Sequence, residues 1–487
     1  MQTAAIRWTV YSAWAAASVH IARRVNALVP EPYMDEIFHV PQAQAYCRGE
    51  WSYWNPSLTT PPGVYLVPAL LSHLKRHSPL LDHVLPFDPC SVPSLRATNL
   101  VLSLSLPFLY SSLFALVDGR KTSKALPRRR PRHVTWEGLV VALMPMLGWW
   151  AWMFYTDLAS VVLVLLSWRC ALKQQYTRSA SLGATALLFR QTNIVWLAFI
   201  VAQAVVDRLG PLSDPLLRDA RPADVVTVPV RPLAAALRNL PALVPVLASY
   251  GPVFAGAVAF VRWNGGIVLG DKANHVPTVH LAQVLYFLAF AAFFFSPLLL
   301  SPSRVHQALL GSVRTLSVAH PFLLADNRHY AFYLWRRIIN VHPLARYALA
   351  PGYFIAARLL WIQLARAGTM PLSTLILFGG ATCAVLVPTP LLEPRYFLTP
   401  LLILRIYLSP SSAISPSRSS DTPVRVRHHR RFRLVLEAAL YVAVQVVCVW
   451  LFLYRPFKWD DIEVGPDGRG LRGRDERELG RWQRFMW

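Results

Sequence analysis

Apolar runs of about twenty residues recur from end to end of this chain, separated by short polar or proline-rich stretches. A helix of that length crosses the hydrocarbon core of a bilayer. The pattern predicts helical spans over approximately 8–28, 97–117, 136–155, 157–173, 181–206, 241–262, 279–300, 347–366, 371–390, 396–410 and 433–454. Residues 63–74 are apolar but short and flanked by prolines, which predicts an interfacial or re-entrant piece. Residues 301–320 are too polar to span and leave the side of loop 262–278 open. That loop is cytosolic if 181–206 crosses once and nothing crosses in 301–320, and lumenal if 181–206 is a hairpin and 301–320 also crosses. The class is an all-α polytopic membrane protein, with a transmembrane domain over 1–454 and a tail over 455–487.

Of the 487 residues, 54% are hydrophobic and only 15% charged, which leaves no stretch for a separate soluble domain. The first apolar run is expected to stay as an anchor, because no small-residue cleavage site marks it as a signal peptide. A net charge of +24 raises nucleic-acid binding, but the cations sit in short loops between spans. Such loops follow the positive-inside rule, so no nucleic-acid partner is expected. Loop 118–135 sets seven cations, from Arg120 to Arg132, against Asp118 alone. Loop 411–432 holds Arg418, Arg425, Arg427, Arg430 and Arg431 against Asp421, with Arg433 just beyond. Both are expected in the cytosol. One crossing earlier, loop 29–96 is then lumenal, and parity places 323–337 and 391–397 on the same side. Cys47 and Cys90 share the first loop, which allows a disulfide if it is lumenal, though five cysteines do not argue for a disulfide framework.

The candidate chemistry sits in those lumenal loops. Asp35 and Glu36 are adjacent carboxylates just past the first span. They suit a general base, or simply acids in the first turn of a helix. Neighbours on a helix point apart, so at most one reaches a given proton. Tyr33, His39, Tyr46, Trp51, Tyr53 and Trp54 accompany them, fit either for sugar stacking or for an interfacial aromatic belt. Asp326, Asn327, Arg328, His329 and Tyr330 form a second cluster, and Glu393 with Arg395 a third. Arg395 reads as a snorkelling cation or as a fork for phosphate. Arg190 lies inside an apolar run and needs a partner, either an anionic headgroup or Asp157. No P-loop, HExxH, zinc-spaced Cys/His set or Asp-x-Asp is present. A carboxylate base, a phosphate clamp and a lipid-phosphate donor make the economical scheme.

The segments PYMDEIFHVPQAQAYC, TTPPGVYL, FDPCSVPSLRATN, FRQTNIVW, NGGIVLGDKANHV, LLADNRHYAFYLWRR, LLEPRYF and RFMW follow one another along nearly the whole chain. In that order they resemble the dolichyl-phosphate-glucose α-1,2-glucosyltransferases of asparagine-linked glycosylation, which add the terminal glucose. Loops 207–240 and 411–432 are not covered. The resemblance implies a GT-C-type fold of about 11–13 transmembrane helices, with its active site on the lumenal face of the endoplasmic reticulum membrane. The implied donor is dolichyl phosphate glucose and the acceptor is Glc2Man9GlcNAc2 on dolichyl diphosphate. Transfer would invert the anomeric centre, with no metal and no cofactor. The base matches Asp35 best, then Glu36. Arg395, Arg328, His329 and Arg190 would hold phosphate. Tyr33, His39, Trp51, Trp54, Asp326, Asn327, Tyr330 and Glu393 would shape the substrate sites, joined by Asp271 and Lys272 if loop 262–278 is lumenal. The family implies an apolar span just before LLADNRHY, which 301–320 does not supply. The alternatives are a lumenal mannosyltransferase of the same fold and a lipid or sugar transporter. No internal repeat supports transport.

Overall fold

The computed structural model describes residues 2–119, 134–209, 214–272, 276–300, 328–342, 344–345, 349–389, 393–409, 423–458 and 482–487. They form 19 α-helices and one two-stranded ribbon, an all-α membrane architecture. Three stretches, Val92–Gly119, Leu240–Asn264 and Arg430–Tyr454, are each long and apolar enough to cross a bilayer unaided. Segment 301–320, Asp326 and Asn327 lie outside the described residues.

Helix α1 (Gln2–Leu28) rises to the end of the bundle that carries the first loop. There α2 (Glu36–Arg48), α3 (Gly63–His77) and α4 (Pro79–Val84) fold into a cap. Gly49 ends α2 at φ 93°, a left-handed turn that favours glycine. A Cys47–Cys90 disulfide closes the cap, with Cα atoms 6.5 Å apart. The apolar stretch expected near 63–74 is α3, packed on α2 rather than crossing.

α5 (Val92–Gly119) descends. The span expected over 136–155 is broken into α6 (Trp136–Ala142) and α7 (Pro145–Ala151). Pro145 has no N–H to give to the preceding turn, so a new helix starts there. α8 (Asp157–Leu172) descends from the cap end. The run 181–206 is a hairpin, with α9 (Tyr176–Leu187) rising and α10 (Asn193–Arg208) descending. Its turn meets the cap, where Gly63 N donates to Leu188 O at 2.8 Å and Gln191 Nε2 to Thr59 O at 2.8 Å.

α11 (Asp224–Arg238) lies along the opposite end, and α12 (Leu240–Asn264) rises from it. The loop after α12 reaches the cap, with Asp271 N donating to Pro56 O at 3.1 Å. The described part of loop 262–278 is therefore on the cap side and 181–206 is a hairpin, two of the features of the lumenal alternative; its remaining condition, a crossing at 301–320, falls outside the described residues. α13 (Ala282–Phe294) and α14 (Ser296–Leu299) follow. α15 (Tyr330–Leu334) runs on into a π-turn over Trp335–Ile339. α16 (Ala350–Ala367) and α17 (Leu372–Leu386) lead to a 3₁₀ turn, Pro394–Phe397.

That turn opens α18 (Leu398–Leu408), the central helix, in which every residue is buried. α19 (Pro423–Tyr454) packs beside the bundle. Deep between them, Arg405 forks onto both oxygens of Glu437 at 2.6 and 2.7 Å, and both side chains are fully buried. Tyr441 Oη donates to the same carboxylate at 2.9 Å, and Arg405 Nη1 to Ser409 Oγ at 2.7 Å. Charge at this depth persists only when paired and saturated in this way.

In the tail, β1 (Phe457–Lys458) pairs antiparallel with β2 (Trp482–Gln483), and the chain then enters the protein, with Met486 only 1% exposed.

Candidate active site

The turn before α2 sends its two acids in different directions. Met34, just ahead of them, adopts φ 55°, a left-handed conformation costing a side-chain-bearing residue about 1–2 kcal/mol. Glu36 enters the protein. It is fully buried and receives Arg96 Nε at 2.9 Å, Arg96 Nη2 at 2.5 Å, Phe154 N at 2.7 Å and Tyr33 N at 3.1 Å. Arg96 also donates to Asn26 Oδ1, Val29 O and Glu31 O. The pair thereby ties α1, α2, α5 and the 152–156 turn together.

Asp35, one residue earlier, stands at the N-cap position of α2 but makes no side-chain capping bond, and it faces outward with its side chain 36% exposed. Arg395 Nη1 donates to its Oδ2 at 2.6 Å across 360 residues of sequence. Arg395 Nε donates to Glu393, so one guanidinium serves two carboxylates. The Asp35 backbone N–H donates to Tyr155 Oη at 3.1 Å. Desolvation would push the Asp35 carboxyl up. The charge and hydrogen bond of Arg395, aided by His39 and His329, overcome it and hold the group at about 2. His39 follows Asp35 by four residues and shares its helix face. Burial, opposed by Asp35 and aided by Arg395 and Arg190, lowers its imidazole to about 4. Its Nδ1 lies 2.6 Å from Tyr65 Oη.

A second pair adjoins the first. Arg190 sits in the turn between α9 and α10 and meets Asp157, the first residue of α8, at 2.8 Å. The Tyr396 ring lies between the two arginines, 5.5 Å from Arg190 and 5.8 Å from Arg395. Asp157 Oδ2 and Arg190 Nε are buried and unpartnered, leaving one acceptor and one donor beside Tyr396. On another side stands His329, whose Nδ1 is 3.2 Å from Trp487 O.

Asp35, His39, Arg190, Glu393, Arg395 and His329 thus gather at one end of the bundle. The other candidates are held by partners of their own. Arg328 donates to Gln483 Oε1 at 3.1 Å. Tyr330 packs its ring 5.2 Å from that of Trp487, and Tyr33 Oη donates to Arg484 O at 2.6 Å. Trp54 packs against the apolar cluster of the cap that includes Val40 and Tyr65. Trp51 is 52% exposed and stacks on His73 beyond the far end of α2, a helix about 20 Å long at 1.5 Å per residue. Lys272 Nζ bonds to Asn264 O at 2.5 Å, and Asp271 bonds through its backbone to Pro56. Among the described residues no group of three His, Cys, Asp or Glu side chains is arranged to hold a metal.

Arg96 and Tyr155 also belong to this region, although neither stands out in the sequence. The available signal was an arginine near the start of an apolar helix, which must find a buried partner. Tyr155 carried no signal, because its part depends on where the 152–156 turn meets α2.

Fold and site together define a polytopic membrane protein with a carboxylate–guanidinium centre at one end of its helical bundle. The chain belongs to the DIE2/ALG10 family, whose profile matches residues 29–406, a stretch that includes both Asp35 and Arg395. A relative from Arabidopsis thaliana is 33% identical, covering 89% of this chain and 94% of its own length. One from Mus musculus is 33% identical over 94% and 93%, and one from Homo sapiens is 32% identical over 94% and 93%. All three are named Dol-P-Glc:Glc(2)Man(9)GlcNAc(2)-PP-Dol alpha-1,2-glucosyltransferase. No solved structure matches the chain.

Proposed function

We propose that this protein transfers the third, terminal glucose in α-1,2 linkage from dolichyl phosphate glucose to Glc2Man9GlcNAc2-diphosphodolichol, in the lumen of the endoplasmic reticulum. The names of its relatives carry the substrates. The observation that carries the mechanism is the 2.6 Å contact between Asp35 and Arg395, which sets a carboxylate beside a cation suited to phosphate. The acceptor 2-hydroxyl oxygen bonds to the glucose C1 as the bond from C1 to the phosphate oxygen breaks. The electron pair leaves with dolichyl phosphate, and the hydroxyl proton passes to Asp35. A single displacement inverts the anomeric centre.

Asp35 is assigned as the base in preference to Glu36, whose two oxygens are already held by four donors in a fully buried position. At about 2, the Asp35 carboxylate paired to Arg395 is a weak base. A donor phosphate would compete for Arg395 and set a negative charge near Asp35, and both changes raise its basicity. Arg190 and His329 flank this position and are assigned to the leaving phosphate. His39, lowered to about 4, stays neutral near neutral pH and adds no competing charge.

Two observations support a lumenal site. The Cys47–Cys90 disulfide of the cap suits an oxidising compartment. The helix ends that flank both arginine-rich loops meet at the other end of the bundle, where Ser111 bonds to Thr135 and Arg430 Nη2 donates to Glu137 Oε1 at 2.6 Å. The test is Asp35→Asn, assayed for glucose transfer from dolichyl phosphate glucose in purified, folded enzyme. Turnover should fall about 100- to 10,000-fold, and near-normal turnover would remove Asp35 from the mechanism.

A further inference from the structure

The segment 482–487 touches the site at two points and is fixed by an unusual cap. Arg484 sends its guanidinium to carbonyls at the ends of two helices, donating to Phe452 O at 2.6 Å and Leu453 O at 3.0 Å of α19 and to Leu28 O at 3.1 Å of α1. The last carbonyls of a helix have no partner within it and form its negative end, so one cation here satisfies two helices at once. The main chain of Arg484 brackets a hydroxyl: Tyr33 Oη donates to its carbonyl at 2.6 Å and accepts from its N–H at 2.8 Å. Tyr33 in turn gives its own N–H to Glu36 and lies two residues from Asp35.

Two residues further on, the chain runs beside 328–330. Met486 N donates to Arg328 O at 2.9 Å, and Tyr330 N donates to Met486 O at 3.0 Å. His329, held between these bonds, sets Nδ1 3.2 Å from Trp487 O. A backbone oxygen only accepts, so Nδ1 carries the hydrogen and the ring orientation is set by the segment.

We propose that residues 482–487 are part of the catalytic centre, with Arg484 as the positioning residue that holds His329 and the Tyr33–Asp35 turn in place around the donor phosphate. This rests on the reading of Asp35 and His329 given above. A segment that merely closed the core would leave kcat intact in any protein that still folds.

The experiment compares Arg484→Ala, Arg484→Lys and Tyr33→Phe in the full chain with dolichyl phosphate glucose as donor. Arg484→Ala should lower kcat about 10- to 100-fold, the scale of a small misplacement of catalytic groups, while the donor KM stays near that of the parent. Arg484→Lys should recover part of the loss. In a His329→Gln background the effect of Arg484→Ala should shrink several-fold, because the group it positions is gone. A folded Arg484→Ala enzyme with parental kcat, or an undiminished loss in the His329→Gln background, overturns the proposal. Should Arg484→Ala fail to accumulate, Tyr33→Phe, which keeps the ring and deletes only the hydroxyl bonds to Arg484, carries the same comparison. Asp35→Asn separates the two readings: retained turnover there removes the base, whereas its loss alongside unaffected tail variants removes only this inference.

Discussion

Asp35–Arg395 and Glu36–Arg96 begin from neighbouring residues and end as different devices. Glu36 and Arg96 are 0% and 2% exposed, and both carboxylate oxygens are occupied. Arg405–Glu437, deeper in the bundle, repeats that design. Asp35 and Arg395 are 36% and 18% exposed, and Arg395 is shared with Glu393. A buried, saturated pair resists exchange, because removing either partner leaves a desolvated charge. A partly exposed pair with a shared cation can give up its contact to an incoming anion. Burial and saturation, rather than residue type, separate framework from chemistry here.

The sharpest way to break the comparison is Glu36→Gln. It removes one charge from a buried pair and should cost about 3–5 kcal/mol, seen as loss of folded protein in a thermal or detergent-stability assay. A stable Glu36→Gln protein that lacks activity would instead move Glu36 into the chemistry. Asp35→Asn should do the reverse, leaving stability near normal while turnover collapses.

Arg395→Lys keeps the charge but loses the fork that serves two oxygen partners, and turnover should fall about 10- to 100-fold. The same exchange at Arg405 should register as instability. Cys47→Ser opens a loop of 43 residues and should cost about 2–4 kcal/mol, read as a lower melting temperature with transfer retained below it.

The smallest effect is on pH. His39 has its folded value near 4, below its ordinary 6.5, so between those values the unfolded chain binds a proton that the folded one does not. Stability should therefore fall as pH drops from about 6.5 to 4, and His39→Gln should flatten that decline. Asp35 adds a like trend only at lower pH, below its ordinary 3.8 and toward 2.

Much of the architecture was legible in the chain. Apolar length marked α5, α8, α12, α16, α17 and α18 to within a few residues. Helix breaks were less legible. Pro145 splits an apolar run that hydropathy reads as continuous, and the 188–192 turn splits another through its contacts with the cap. At the site, residue type pointed to the acidic pair and the arginines, but not to how they pair. Arg190 and Asp157 were foreseen as one of two options. Arg96, which decides the fate of Glu36, was not.

Local pattern along the chain establishes a membrane-embedded helical protein, which loops carry the acids and which the cations, and the family to which it belongs. Those properties follow from hydrophobicity and charge, which act locally and add along the chain. Three-dimensional packing selects which carboxylate meets Arg395, brings residues 269–271 to the cap, and turns residues 482–487 inward against Tyr33 and His329. Each of these depends on partners far apart in sequence, 360 residues in the case of Asp35 and Arg395. A contact of that kind is selected by the packing of the whole bundle, and no local pattern encodes it.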